Sequence, residues 1–266
     1  MTLDYFKQLL KGNNGIKISD DLIIFNDFEL WNRRTDESKQ YKSVDELVAD
    51  NPDVRKIIET TDEFYLDWSG GRGSSSGSSK VAMGGGFGNA PGRKGKDSER
   101  LLPAELNLNV AGGNSVSSVL NRFQNKYGNA DREYAISVDE NGYVKQHIKG
   151  GKHSVGITGD KGDTLIHNHP SGSNFSKADM ESFALTGIKS LVATSSNKNT
   201  KGTYTITKGN KFNSKAFVKA VNRAQWPSNL SYNDGVSWWL KKNQKTYGYK
   251  FTHSGVKGAS KGEFGW

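Results

Sequence analysis

The chain contains no cysteine and no long apolar run, and each absence excludes a class of protein. Without cysteine there is no disulfide framework, no thiolate zinc finger and no cysteine nucleophile. No stretch of about 18 apolar residues occurs, so the sequence predicts no transmembrane helix. The first residues lack a basic segment ahead of an apolar one, which argues against a signal peptide. These features lead us to expect a cytoplasmic protein that has no membrane partner.

Apolar residues are also scarce, because only 33% of the 266 residues are hydrophobic while 31 are glycine. Many glycines fall in residues 68–100, which cannot bury enough apolar surface to order themselves and are predicted to form a flexible linker. This segment lacks the G-x-x-x-x-G-K-[ST] pattern of a phosphate loop. The linker separates a predicted small acidic N-terminal domain, residues 1–67, from a domain over residues 101–210. Residues 211–266 are predicted to form a basic helical extension and a tail that starts at Lys250.

The net charge of +9 is unevenly distributed along the chain. Residues 1–67 hold 9 Lys/Arg against 15 Asp/Glu, whereas residues 197–266 hold 13 Lys/Arg against 2 Asp/Glu. A basic end is typical of proteins that bind nucleic acid or an acidic protein surface. It is equally compatible with a solvated face, or with a contact to the acidic half of the same or another copy. The tryptophans of this end fit either base stacking or helix packing.

Strand and helix patterns alternate in residues 101–210. Tyr134, Ile136 and Val138 alternate as in a half-buried strand, and Asn141-Gly142 is a hairpin turn signal. Residues 164–166 are predicted to form a short buried strand, followed by a helical pattern that begins near residue 177. This mixture predicts an α/β (α+β) fold, in which a mixed central sheet is flanked by helices.

A histidine pair follows that predicted strand, in the segment His167-Asn168-His169-Pro170. Alternate residues of an extended backbone face the same side, and Pro170 favours an extended conformation at His169. Two imidazoles suit Zn²⁺, and Asp179 in the first turn of the next helix offers an oxygen as third ligand. Three protein ligands leave one position for water, as in catalytic zinc sites. The ordinary alternatives are a histidine pair without metal and a helix cap formed by Ser176 and Asp179.

These residues resemble a known motif. His167-Asn168-His169-Pro170-Ser171-Gly172, with Ser176 and Asp179, resembles the JAMM motif of MPN-type zinc metalloproteases, and is most similar to the RadC-like branch and to JAMM-like domains of phage proteins. Upstream, Arg132-Glu133 and the residues up to Ser154-Val155 resemble the strand-turn-strand that carries the glutamate of the family. The resemblance covers residues 101–210. The spacing from His169 to Ser176 is one residue shorter than in the motif.

The resemblance implies an MPN-like fold and a zinc-dependent hydrolase that cleaves a peptide or isopeptide bond of a protein or peptide substrate with a zinc-activated water. It implies that His167, His169 and Asp179 bind Zn²⁺. Glu133 would carry the proton from that water to the leaving amine, and Ser176 would stabilise the oxyanion.

Two other functions remain open at this stage. One is a nucleic-acid-associated RadC-like protein, and the other is a phage structural or accessory protein that uses the fold for interaction. Both fit the cytoplasm of a phage-infected or prophage-bearing bacterium. Glu140 is a rival to Glu133 as the acid–base residue, but it falls in the predicted turn before Gly142.

Overall fold

A computed structural model describes residues 1–61, 67–69, 99–101, 115–196 and 201–255. These residues form a mixed α+β structure with a four-stranded sheet, a seven-stranded sheet and a two-stranded pair, which confirms the expected fold class. The helices are α1 (Leu3–Gly12), α2 (Val44–Asp50), α3 (Pro52–Thr60), α4 (Val116–Tyr127), α5 (Lys177–Leu185), α6 (Ser214–Asn222) and α7 (Tyr232–Tyr247). The strands are β1 (Gly15–Lys17), β2 (Leu22–Phe25), β3 (Glu29–Asn32), β4 (Ser38–Gln40), β5 (Asp67–Ser69), β6 (Glu99–Arg100), β7 (Tyr134–Val138), β8 (Val144–Lys149), β9 (Ser154–Gly156), β10 (Thr164–Asn168), β11 (Ser190–Ser196), β12 (Lys201–Lys208) and β13 (Tyr249–Ser254).

The N-terminal residues form an antiparallel meander, β1 to β4, with α1, α2 and α3 packed against it. The apolar run from Leu22 to Phe25 is β2, as its sequence predicts. Ser43 caps α2 by accepting a hydrogen bond from the backbone N–H of Glu46 at 3.1 Å. This unit has apolar side chains of its own to bury, which include Phe6, Leu10, Ile24, Leu47, Val54 and Ile58.

The seven-stranded sheet has the order β13-β12-β11-β10-β7-β8-β6. Among the described strands of this sheet, only β10 and β11 pair in parallel, and the other neighbours are antiparallel. A parallel pair needs a crossover connection, and α5 supplies it between β10 and β11. The carboxyl end of β10 therefore lies close to the start of α5, where the predicted metal ligands are found.

The two faces of this sheet are covered by different helices. α4 packs on one face, where Val119 and Phe123 join Ile166 of β10 in one core. α5, α6 and α7 cover the other face, where Leu165 of β10 joins their apolar side chains. Because side chains of a strand alternate between faces, His167 lies on the face of Leu165, under α5.

The N-terminal unit packs against α5 and α6. Phe25 and Trp31 of its sheet belong to the same apolar core as the side chains of these two helices. An ion pair reinforces this contact, because the guanidinium of Arg33 lies 2.6 Å from the carboxylate of Glu181 on α5, and the Glu181 side chain is buried while that of Arg33 is largely so.

The basic helix α6 faces acidic residues of the N-terminal sheet. Lys215 and Lys219 each contact the carboxylate of Glu29 at 2.6 Å, and Arg223 pairs with Asp36. Part of the C-terminal positive charge is thus neutralised by the acidic half of the same chain. Trp239 of α7 is buried in the main core, which favours packing as its role.

Two expectations about irregular segments are wrong in part. The first residues of the predicted tail from Lys250 lie in β13, because the backbone of β13 pairs with the otherwise open edge of β12 while its alternate apolar side chains, such as Phe251, are buried in the core. The ends of the predicted linker also lie in strands, because β5 pairs with β9 and β6 pairs with β8. Residues 70–98 of the linker and residues 256–266 of the tail lie outside the described residues. No helix in the described ranges has the length and apolar character needed to cross a bilayer.

Candidate metal site

His167, His169 and Asp179 meet at one buried point between the end of β10 and the start of α5. The Nε2 atoms of the two histidines are 2.8 Å apart. Nε2 of His167 lies 3.7 Å from Oδ1 of Asp179, and Nε2 of His169 lies 3.5 Å from Oδ2. One ligand atom from each residue falls within 4.8 Å of the others, so this group can hold a metal ion.

The backbone around His169 orients its ring. Its N–H donates to the carbonyl of Thr194 at 3.0 Å, which extends the pairing of β10 with β11 by one residue. Nδ1 of His169 lies 2.8 Å from the carbonyl oxygen of Ser173. A metal-binding histidine commonly uses its second nitrogen in this way, and the contact leaves Nε2 directed at the shared point.

Asp179 and Ser176 form a capping box at the start of α5. Oγ of Ser176 accepts from the backbone N–H of Asp179 at 3.0 Å, and Oδ2 of Asp179 accepts from the N–H of Ser176 at 2.6 Å. Oδ1 of Asp179 is buried and has no hydrogen-bond partner among the described residues. The cap and a metal are therefore compatible, because one carboxylate oxygen orders the helix and the other is available as a ligand.

The protonation states suit metal binding. Burial, and then the charge of His167, lowers the pKa of His169 to about 4, so its imidazole is neutral at pH 7. Burial alone would raise the pKa of Asp179, but the neighbouring histidines and the N–H of Ser176 outweigh it, and the net pKa is lowered. A neutral imidazole and an ionised carboxylate are the forms that coordinate metals.

Glu133 is buried one residue before β7, beside the end of β10. The antiparallel register pairs His167 with Ala135, so the residue two positions before Ala135 shares that face of the sheet. The structure therefore brings Glu133 to the side of the sheet that carries both histidines. Glu140 is exposed in the turn at the opposite end of β7, as its sequence position predicts.

Sequence reasoning missed Asn168, which lies between the two histidines and is fully buried. Its Oδ1 accepts from the N–H of Tyr134 at 2.6 Å, and its Nδ2 donates to the carbonyl of Arg132 at 2.9 Å. These two bonds bracket Glu133 and tie it to β10. The only signal for Asn168 in the sequence is that a polar residue stands between the two histidines at the end of a buried strand. The pattern H-x-H gives this middle position no role.

The loop between His169 and Ser176 receives support from α7. The backbone N–H of Asn174 donates to Oδ1 of Asn233 at 2.8 Å, and Nδ2 of Asn174 donates to Oγ of Ser237 at 2.8 Å. Tyr232 also donates to the carbonyl of Phe175 at 3.0 Å. The C-terminal extension thus shapes the shortened loop, and no sequence pattern pointed to this contact.

The fold and the site together define an α+β protein with a buried group of two histidines and one carboxylate at the end of a mixed sheet. No known protein family, curated protein or solved structure matches this chain. The resemblance to JAMM domains consequently stays a prediction that depends on the motif residues.

Proposed function

We propose that the chain is a zinc-dependent hydrolase of the JAMM/MPN type, which cleaves peptide or isopeptide bonds. The observation that carries this proposal is the convergence of His167, His169 and Asp179 on one buried point. Glu133 lies on the same face of the sheet, in the order along the chain that the motif has. An MPN-like arrangement of the sheet and α5 is part of the proposal.

The donor set favours zinc over the hard cations. Two imidazole nitrogens and one carboxylate oxygen are typical of catalytic zinc sites, whereas Mg²⁺ and Ca²⁺ prefer oxygen ligands alone. Oδ1 of Asp179, buried without a hydrogen bond among the described residues, is the kind of atom that a cation would satisfy. When bound, zinc supplies Lewis acidity and an activated water.

The residues around the ligands supply the remaining chemistry. Glu133 accepts a proton from the attacking water and delivers it to the leaving amine nitrogen, and Asn168 holds its backbone in place for this task. The hydroxyl of Ser176 accepts from the N–H of Asp179, so its own proton is available to donate to the oxyanion that develops on the substrate carbonyl.

An extended peptide is the substrate that the border of the site favours. The N–H of Glu133 donates to the carbonyl of Gly151, and the N–H of Gly151 donates to the carbonyl of Ser154, both at 2.8 Å. Ser154 begins β9, which pairs through its backbone with β5 of the same chain. Extended backbone therefore borders the site next to Glu133, and we propose that a substrate peptide lies along this border in extended form, which is a common way to bind peptides.

Metal binding is tested by elemental analysis of the purified full chain. We expect about one zinc per chain, as one buried three-residue site predicts. His169→Ala should lose the metal, and His153→Ala, which alters an exposed histidine in the loop before β9, should retain it. Stoichiometric zinc in the His169→Ala protein would overturn the ligand assignment.

Hydrolysis is tested on a degenerate peptide library and on lysine-branched isopeptides, with products read by mass spectrometry. The zinc-loaded wild type should cleave, and Glu133→Gln should lower the rate by about 10²–10⁴-fold with zinc retained. Glu140→Gln makes the same chemical change at the other end of β7 and should leave the rate unchanged. Normal cleavage by Glu133→Gln would place the base elsewhere, and no cleavage by zinc-loaded wild type would refute the peptidase proposal.

A further inference from the structure

A second concave site lies at the end of the main sheet opposite to the metal site. It is a cavity of about 640 Å³, within the range of small-molecule pockets. Its walls come from the end of α1, the loop before β10, the residues after α5 and the end of β12. The metal ligands lie at the carboxyl end of β10 and the start of α5, so the two sites are separated by the length of these elements.

The lining of the cavity is cationic. Lys11, Lys161 and Lys208 reach it from three different parts of the chain, and none has a carboxylate partner among the described residues. The one carboxylate in the described lining, Asp160, is 3.0 Å from the ammonium of Lys145. By contrast, Lys215 and Lys219 of α6 are paired with acidic residues of the N-terminal sheet.

Lys208 is the most constrained of the three. Its ammonium donates to the carbonyl of Thr186, which follows α5, and lies 5.0 and 5.4 Å from the ring centres of Phe183 and Phe212. Burial, and then the charge of Lys189, lowers the pKa of Lys208 to about 7. A lysine ammonium has three N–H donors, so after the bond to Thr186 it has two left for a ligand.

Neutral polar groups complete the wall. The carboxamides of Asn14, Asn26 and Asn210 line the cavity, and Asn14 is held in place because its Nδ2 donates to the carbonyls of Ala184 and Thr186 at 2.9 and 3.1 Å. Carboxamides can bind the uncharged part of a ligand through either a donor or an acceptor. The site therefore combines a cationic part with groups suited to a polar organic moiety.

We propose that this cavity binds a small organic phosphate with at least two negative charges, with Lys208 as its inner partner and Lys11 and Lys161 at the rim. Lysine is a common phosphate ligand that acts as a point charge. Three lysines around one concavity suit a diphosphate ligand better than a ligand with a single carboxylate. A small molecule is favoured over nucleic acid because the three lysines line one concavity of small-molecule size. Single-stranded nucleic acid needs a groove with several stacking platforms, whereas Phe212 is the one aromatic residue in the described lining.

The test is isothermal titration calorimetry on the full chain at low salt, with pyrophosphate, ADP and adenosine as probes. We expect pyrophosphate and ADP to bind with one site per chain, and adenosine to show no comparable binding. Lys208→Met should weaken binding at least tenfold. Lys11→Met and Lys161→Met alter exposed side chains and should each weaken it several-fold in a folded protein, so the test does not depend on the stability of Lys208→Met.

Two controls separate this site from others. Lys152→Met removes an exposed lysine outside the cavity and should bind as wild type. His169→Ala should also bind the phosphate probes as wild type does. If binding were lost in that variant, the phosphate would be held by zinc at the metal site and not by the cavity. No binding of either anion at millimolar concentration, equal binding by all lysine variants, or binding of a DNA oligonucleotide alone would overturn the proposal. The outcome is independent of whether the metal site hydrolyses peptides.

Discussion

Replacement of Asn168 by alanine tests whether the polar residue between the histidines positions Glu133. Asn168→Ala removes two hydrogen bonds and leaves the N–H of Tyr134 and the carbonyl of Arg132 without their partner. A buried polar group that loses its partner costs about 1–3 kcal/mol. Because Tyr134 and Arg132 are half-buried, water restores part of this loss, and we expect the free energy of unfolding to fall by about 2–3 kcal/mol.

The measurement is urea unfolding followed by tryptophan fluorescence, with EDTA present so that metal binding does not contribute to stability. Asn141→Ala, at an exposed turn position, is the matched control and should change stability by less than about 0.5 kcal/mol. The zinc affinity of Asn168→Ala should stay within about tenfold of wild type, since none of the ligands is removed, while hydrolysis falls further than zinc binding does. Wild-type stability, or a loss of zinc binding as large as the loss of hydrolysis, would refute the positioning role.

Four other perturbations probe the packing around both sites. Glu181→Gln leaves the largely buried guanidinium of Arg33 without its carboxylate and should destabilise the chain by about 3–5 kcal/mol in urea unfolding. The double variant Arg33→Met, Glu181→Met should recover most of that loss. Burial would raise the pKa of Glu29, but the ammonium groups of α6 lower it to about 2. The stabilising effect of the Glu29 carboxylate is therefore complete above about pH 4.5 and is lost as the pH falls towards 2. Glu29→Gln should flatten this part of the curve of stability against pH. Without a bound anion, the lowered pKa of Lys208 makes the unfolded chain bind more protons between about pH 7 and 10.5, so stability should rise over that interval in wild type and not in Lys208→Met. Ser176→Ala removes the cap of α5 and should cost about 1 kcal/mol by thermal unfolding; a hydrolysis rate equal to that of wild type would remove Ser176 from the catalytic residues.

The distribution of charge has a structural explanation in part. The acidic N-terminal sheet binds basic side chains of α6, so part of the negative charge of residues 1–67 and part of the positive charge of residues 197–266 neutralise each other within the chain. The lysines around the cavity are not neutralised in this way, so they are the better place to look for an anionic ligand. This difference between paired and unpaired lysines is invisible in the net charge of +9.

Local patterns predicted the grouping of His167, His169 and Asp179 at the candidate metal site. The spacing of His167 and His169 needs only an extended backbone to place both rings on one side, and the capping box at Ser176 and Asp179 needs only the first turn of a helix. Strands β2, β7 and β10 were equally predictable, because short apolar runs and alternation depend on near neighbours. These features were readable because the interactions that create them span a few residues.

Contacts between residues distant in sequence were decided by the tertiary structure alone. The clamp of Asn168 on the residues around Glu133, the support that Asn233 gives to the loop after His169, and the pairing of β13 with β12 all join such segments. A pattern of residue types records which side chains prefer burial, but it does not record which partner satisfies a polar group once it is buried. The sequence by itself therefore determined the types and spacing of the candidate ligands, while the fold decided what orients them and which charged side chains are left without partners.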